Sequence, residues 1–228
     1  SSSTDTVAKK GLVYNDYSVI SEFTSSGTIG WIWNWAQSPG GTVPSGIEYV
    51  PSLQNTEGMT NWKTTAKEQI ENGSKHLMSF NEPDRTSADG GADLDASTAA
   101  SYYKEYMNPF SSDDVKLVSP SVCNGDEASV GLNWLEEFMD ACDGGCTVDY
   151  INIHWYATWT DFSGNMDAAI EYFKSYCDSA YQKFQKPLWI TEIGLYSADD
   201  STQQELLDAI LPWMAKDNQS YIERYSYF

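Results

Sequence analysis

Short apolar runs recur along the chain at 11–14, 28–33, 47–51, 76–80, 115–119, 148–154, 187–191 and 221–226. Each spans four to seven residues and is bounded by polar or turn-forming stretches, the length and composition of buried strands. Between several of them, apolar residues return at spacings of three and four, which predicts helices over 62–72, 97–106, 132–141, 166–184 and 203–215, with Asn61 capping the first. Strand followed by helix, repeated, indicates a parallel sheet with crossover helices. Eight such units predict a compact (β/α)8 TIM barrel occupying residues 1–228 as one catalytic domain. At under 30 residues per unit, some helices must be shortened or replaced by loops. An open doubly wound sheet is the rival arrangement, but no G-x-G-x-x-G phosphate loop follows an early strand. The chain reaches Phe228 directly after the eighth run, so either further residues or the N-terminal segment would have to cover that strand.

Charge narrows the partners. Thirteen Lys and Arg against 33 Asp and Glu give a formal charge of -20, which disfavours nucleic acid and anionic membranes. No stretch approaches a membrane span. Nine Trp and fifteen Tyr exceed what the core of a small domain needs, and flat rings beside carboxylates suit sugars. Four cysteines, Cys123, Cys142, Cys146 and Cys177, allow two disulfides in three pairings; a four-cysteine zinc site is the alternative. The sequons at Asn72 and Asn218 and the scarcity of Lys favour secretion, to the medium or the cell wall, as a glycoprotein. The opening run of Ser and Thr reads as a frayed start left by a cleaved leader.

Two of the apolar runs end in a glutamate. Residues 76–80 lead into Asn81-Glu82-Pro83, and residues 187–191 into Glu192-Ile193-Gly194. A parallel barrel presents catalytic groups at the C-terminal ends of its strands, so both carboxylates are expected at one mouth. Pro83 restricts Glu82 to an extended or turn geometry, and a helix cap or loop turn is the other reading of Asn-Glu-Pro-Asp. Gly194 permits close backbone approach beside Glu192. The sixth run closes on His154-Trp155-Tyr156, in a strand that neighbours the seventh, which places His154 beside Glu192 and lets Tyr156 donate to it. A histidine in a strand is as often a satisfied core residue, the reading that suits His76. Trp31, Trp33 and Trp35 share one face of the second run, with Trp35 nearest the mouth. Trp155, Trp159, Tyr196, Tyr225 and Phe228 are further candidates for a groove of stacked sugars. No H-E-x-x-H or G-x-S-x-G supports metal or serine hydrolysis, and no cofactor is called for.

Ser79-Phe80-Asn81-Glu82-Pro83-Asp84, Ile153-His154-Trp155-Tyr156 and Trp189-Ile190-Thr191-Glu192-Ile193 together resemble the Asl1-like glycosyl hydrolase catalytic core, glycoside hydrolase family 128. These are compact, mostly fungal or bacterial barrels, and a fungal source is expected. The resemblance implies a retaining endo-β-1,3-glucanase with Glu82 as acid/base and Glu192 as nucleophile. Asn81, His154 and Tyr156 fall on its supporting positions. It also implies carboxyls roughly 5 Å apart, a raised pKa for Glu82 and an ionised Glu192. A monomer binding β-glucan follows, without cofactor. Because some members bind oligosaccharides or act poorly, a weakly active or non-catalytic glucan-binding protein is the second reading.

Overall fold

The computed structural model describes residues 9–216 and 220–227. Eight parallel strands form one sheet: β1 Lys10–Val13, β2 Trp31–Trp33, β3 Glu48–Tyr49, β4 His76–Leu77, β5 Lys116–Val122, β6 Tyr150–Thr158, β7 Leu188–Tyr196 and β8 Ile222–Tyr227. Their order is β3-β2-β1-β8-β7-β6-β5-β4. Six α-helices are described: α1 Ile20–Thr24, α2 Met59–Glu71, α3 Ala96–Tyr102, α4 Gly131–Cys142, α5 Met166–Phe184 and α6 Asp200–Met214.

The expected closed (β/α)8 barrel is not what forms. The sheet curls 297° round its axis and stays open, an open, curled half-barrel rather than a TIM barrel. The edge strands β3 and β4 have only two residues each, and a single bridge, Ser52 to Met78, spans the gap between them. Pro51 supplies the reason. It has no N–H to donate toward β4, so no continuous ladder forms there, and the gap is crossed by separate backbone bonds: Met78 N–H to the Pro51 carbonyl and Leu53 N–H to the Met78 carbonyl, each at 3.0 Å, and Asn81 N–H to the Gln54 carbonyl at 2.9 Å. Strand-and-helix repetition counts units, and the same count serves an open curled sheet or a closed one. The connection from β2 to β3, 34–47, is loop rather than helix.

Helix positions follow the periodicity, with local corrections. Asn61 lies inside α2; the cap is Asn55, whose side chain accepts from the N–H groups of Glu57 and Gly58 and opens a 3-10 turn leading into the helix. The predicted 97–106 helix is α3 continued by a π-helical turn, Tyr103–Met107. Asn165 and Asp199 cap α5 and α6 through the N–H groups of Ala168 and Thr202.

Alternation along the strands divides the apolar residues in two. One set, with Ile151, Ile153, Leu188, Ile190 and Ile222, packs under the helices. The other, with Val13, Trp31, Trp33, Met78, Val118 and Trp189, fills the interior of the curl. At the N-terminal ends of the strands the interior is closed by charge and rings. Glu48 accepts from Arg224 Nη2 at 2.6 Å and lies 2.9 Å from His76 Nδ1, and the guanidinium stands 4.8 Å from the Trp189 ring. The opposite end is left free for chemistry.

Cys142 and Cys146 are joined in one disulfide, while Cys123 and Cys177 are buried thiols. One bridge forms rather than two, and its formation uses the close pair that a zinc site would need. Asn72 is exposed at the end of α2; Asn218, Phe228 and the opening Ser/Thr run lie outside the described residues. Among those described, no helix is long and apolar enough to cross a membrane.

Candidate active site

Glu82 is carried just beyond β4, where the backbone still runs beside β5 through the bridge Asn81 to Ser121. Its N–H donates to the Ser121 carbonyl at 2.9 Å, and its carbonyl accepts from the Arg85 N–H at 3.0 Å. The second of these bonds closes a turn, the second of the two geometries expected before Pro83, and within it Glu82 has φ 41°, a left-handed conformation. Trp35, also at the mouth, has φ 57°. Such backbone costs about 1–3 kcal/mol per residue and persists only where its surroundings over-determine it. Gly91 is part of that enclosure, since a Cβ there would lie 2.5 Å from the Glu82 carbonyl oxygen.

Glu192 lies within β7, opposite His154 of β6. The ladder shifts register at this point: Ile153 pairs with Ile190, and His154 pairs with Glu192. Thr191 is therefore the extra residue of a β-bulge, the device by which a strand re-aims consecutive side chains. Thr191 Oγ1 meets His154 Nε2 at 2.9 Å, while Glu192 Oε2 lies 3.6 Å from His154 Nδ1. Without the shift, neighbours 191 and 192 would project to opposite faces.

The two carboxylates keep different company. Glu192 accepts from Trp35 Nε1 on Oε1 at 2.7 Å and from the Tyr156 hydroxyl on Oε2 at 2.6 Å. Glu82 Oε1 lies 2.8 Å from His154 Nδ1. One carboxylate oxygen from each glutamate and a His154 nitrogen all fall within 4.8 Å of one another. Oxygens that close fit the roughly 5 Å of a double-displacement pair rather than the ~6.5–9.5 Å between carboxyls used in inversion. The trio is also compact enough to hold a cation, but its donor set argues against one: both oxygens of Glu192 already face hydrogens of Trp35 and Tyr156.

Burial pushes the Glu82 carboxyl up, yet the hydrogen bond and charge of His154 outweigh it, with Cys123 and Arg85 adding to the effect. The net shift is downward, opposite to the raised value expected for an acid. His154 moves the other way. Its burial opposes charge, but Glu192, Glu82 and Asp84 raise it above the ordinary histidine value. Both directions favour an imidazolium beside a Glu82 carboxylate in the free site.

Of the other residues singled out, Asn81 and Tyr196 line the mouth. Tyr196 stacks on Tyr156 with ring centres 5.2 Å apart and planes 14° apart, and it is 59% exposed. Trp155 and Tyr225 do not reach the groove. Trp155 is fully buried against Phe173 and Tyr172, and Tyr225 is buried in the layer under the helices. Strand alternation explains both: His154 and Tyr156 point inward, as do Arg224 and Ser226, so the residues between them point out. Trp159 lies in the turn after β6 and packs on Phe162 rather than lining the mouth.

Two cavities meet at Glu82. One, of about 530 Å³, holds both glutamates and is also lined by Trp35, Asn34 and Gln54. The other, of about 440 Å³, includes Glu82 but not Glu192 and extends past Arg85, Asn124 and Thr158. Asn124 had no prior signal beyond its place after the fifth apolar run. It clamps the Tyr156 backbone, accepting from the N–H at 2.7 Å and donating to the carbonyl at 2.8 Å. Asp84 anchors the same corner by accepting from the N–H groups of Cys123 and Gly131 at 3.1 and 2.8 Å.

Residues 11–228 match the family model described as glycosyl hydrolase catalytic core. Alkali-sensitive linkage protein 1 of Schizosaccharomyces pombe is 32% identical over 96% of this chain, and the chain spans only 38% of that relative's length. A curdlan-specific exo-β-1,3-glucanase of GH128 subgroup III from Blastomyces gilchristii, solved with glucose, is 36% identical. It superposes with a TM-score of 0.85, covering 98% of this chain and 90% of that one. The subgroup II endo-β-1,3-glucanase of Sorangium cellulosum is 30% identical, TM-score 0.80, over 96% and 87% of the two chains. A subgroup I endo-β-1,3-glucanase of Amycolatopsis mediterranei in complex with laminarihexaose is 26% identical, TM-score 0.77, over 97% and 88%. With the family model spanning nearly all of the chain and GH128 enzymes matching it over most of their own length, the chain belongs to the glycosyl hydrolase catalytic core family, within GH128.

Proposed function

We propose that this chain is a retaining glycoside hydrolase that cleaves β-1,3-glucan, with Glu82 as acid/base and Glu192 as nucleophile. The observation that carries the reading is the pair itself: two carboxylates with oxygens within 4.8 Å, one paired with an imidazole and the other held by two donors. Glu192 attacks the anomeric carbon as Glu82 gives its proton to the departing glycosidic oxygen, and a glycosyl ester forms on Glu192. Glu82, now a base, takes a proton from water while the oxygen of that water displaces Glu192. Tyr156 and Trp35 hold the nucleophile in line during attack, and release of the ester returns its charge to their hydrogen bonds.

The cavity containing both glutamates suits the sugar that is attacked, and the one beyond Glu82 suits the sugars that leave. Space on both sides favours cleavage within a chain, as in the endo-acting relatives. Tyr196, broad and exposed between the two, offers a face for a pyranose ring. The disulfide Cys142–Cys146 supports an oxidising, extracellular destination.

Glu192→Gln tests the assignment. Reducing-end release from laminarin-type glucan should fall at least a thousandfold while pull-down on the same polymer persists. Near-normal hydrolysis by this variant would remove Glu192 from the nucleophile's role. A wild-type chain that binds the polymer but releases nothing would favour the binding-protein reading instead.

A further inference from the structure

Beneath the two carboxylates lies a buried polar chain. His154 Nε2 meets Thr191 Oγ1 at 2.9 Å, and the Thr191 hydroxyl donates to Asn152 Oδ1 at 2.9 Å. His154 and Thr191 are fully buried, and Asn152 is 2% exposed. The direction of these bonds can be followed. The Asn152 side-chain nitrogen faces the Met78 sulfur at 3.8 Å, a weak acceptor that suits an N–H better than a carbonyl oxygen. That leaves Asn152 Oδ1 toward Thr191, where it can only accept. The single hydroxyl hydrogen of Thr191 is thereby committed, and its lone pair must receive a hydrogen from His154 Nε2.

We propose that Thr191 and Asn152 are positioning residues that lock His154 as its Nε2–H form, so that the mobile proton of the acid/base step lies between His154 Nδ1 and Glu82 Oε1. This rests on the assignment of Glu82 as acid/base. With Nε2–H fixed, a neutral imidazole has a bare Nδ1, and the 2.8 Å contact to Glu82 requires a proton from one side or the other. The pair therefore holds one proton in either of two places, as imidazolium and carboxylate or as imidazole and carboxylic acid. When a glycosidic oxygen arrives, the proton passes from Nδ1 to Oε1 and on to the leaving group, and the imidazole is left neutral. The proton taken from water in the second half-reaction restores the pair. The opposite tautomer, with hydrogen on Nδ1 and Nε2 bare, would instead hold Glu82 as a carboxylate with nothing to give.

Among the described residues, three carboxylates act on the imidazole. Glu82 and Asp84 approach from the loop after β4 and Glu192 from β7, and each raises the pKa of His154. Arg85 and Cys123 act on Glu82. Tyr156, on the same strand, is committed to Glu192. None of these groups touches Nε2, so tautomer choice falls to Thr191. The bulge explains why a threonine can be there at all: it turns residues 191 and 192 onto the same histidine.

Thr191→Val keeps the shape and removes the hydroxyl. The imidazolium loses an acceptor while the Nδ1–H tautomer becomes accessible, so the pair should surrender its proton at lower pH. The basic limb of kcat/KM on laminarin-type glucan should shift down by about one pH unit or more, with KM within twofold, because Thr191 does not line the groove. Thr191→Ser should return the limb to its wild-type place. A limb unmoved in folded Thr191→Val, or one moved equally in Thr191→Ser, overturns the proposal. Nitrogen-15 spectra of the wild-type imidazoles give a second decision that needs no variant, and only His76 and His154 have to be told apart. Titrated to its neutral form, His154 should carry hydrogen on Nε2; hydrogen on Nδ1 refutes the lock. A chain that binds glucan without cutting it would sink the hydrolase reading, and those spectra would still decide the tautomer.

Discussion

Gly194→Ala should uncouple Tyr156 from Glu192 by steric displacement alone. A Cβ at residue 194 would stand 2.5 Å from Tyr156 Cε1 and 2.7 Å from Cδ1. Ordinary carbon contacts begin near 3.5 Å, so the ring must withdraw by about 1 Å. Tyr196, stacked on Tyr156, limits sideways escape. A retreat of that size lengthens the 2.6 Å bond to Glu192 Oε2 past the useful range of a hydrogen bond. A hydrogen bond to a charged group contributes about 1.5–3 kcal/mol, which converts to roughly 10- to 150-fold in rate. The same overpacking should lower stability by about 1–3 kcal/mol, or several degrees in Tm. The assay is reducing-end release from laminarin-type glucan by wild type, Gly194→Ala, Tyr156→Phe and the double variant. If the glycine acts through the tyrosine, the double variant falls little below Tyr156→Phe, because the bond can be lost only once. Near-wild-type activity in folded Gly194→Ala, or losses that multiply in the double variant, would refute the reasoning.

Two further outcomes follow from the same geometry. Glu82→Ala should cost about 10²–10⁴-fold on glucan but far less on a dinitrophenyl β-laminarioside, whose leaving group departs without a proton; rates on the two substrates measure the contrast. At the strand bases, burial pushes the Glu48 carboxyl up, but the hydrogen bond from His76 and the charge of Arg224 outweigh it and hold it at about 2, against an ordinary 4.5. A depressed folded-state value stabilises the fold above the ordinary value and loses that contribution as pH falls from about 4.5 toward 2. Urea midpoints of the wild type should drop across that window, whereas Glu48→Gln should start lower at pH 7, by a few kcal/mol, and change less over the same window.

Much of the site was legible because a curled parallel sheet, closed or open, presents its strand ends at one mouth. Two apolar runs that end in Glu82 and Glu192, and a third that ends in His154-Trp155-Tyr156, gave position and type without coordinates. Strict alternation, applied further, would also have turned Trp155 and Tyr225 away from the groove, since both stand between inward-facing neighbours. What alternation could not foresee is its own interruption. The bulge at Thr191 breaks the period of two, and nothing in Trp-Ile-Thr-Glu-Ile marks it. Asn124 was equally silent, because its value lies in meeting the backbone of a residue 32 positions away. The left-handed backbone of Glu82 belongs to the same class, being fixed by β5 and by the room that Gly91 leaves.

The amino-acid sequence by itself determined the alternation of strands and helices, the parallel sheet, the acidic and aromatic character, and the glutamates with their histidine. These are local properties: a run of apolar residues is a strand candidate wherever it folds, and a carboxylate at its end is a carboxylate at the mouth. Tertiary structure decided whether the sheet closes, because closure depends on the register between β3 and β4, and Pro51 withholds the N–H that a continuous ladder needs. It also decided what each glutamate does. The proton preference of Glu82 comes from an imidazole 72 residues away, and the donors on Glu192 arrive from Trp35 and Tyr156, on other strands or their ends. Electrostatic environment is set by distance in space, and only the folded sheet supplies those distances.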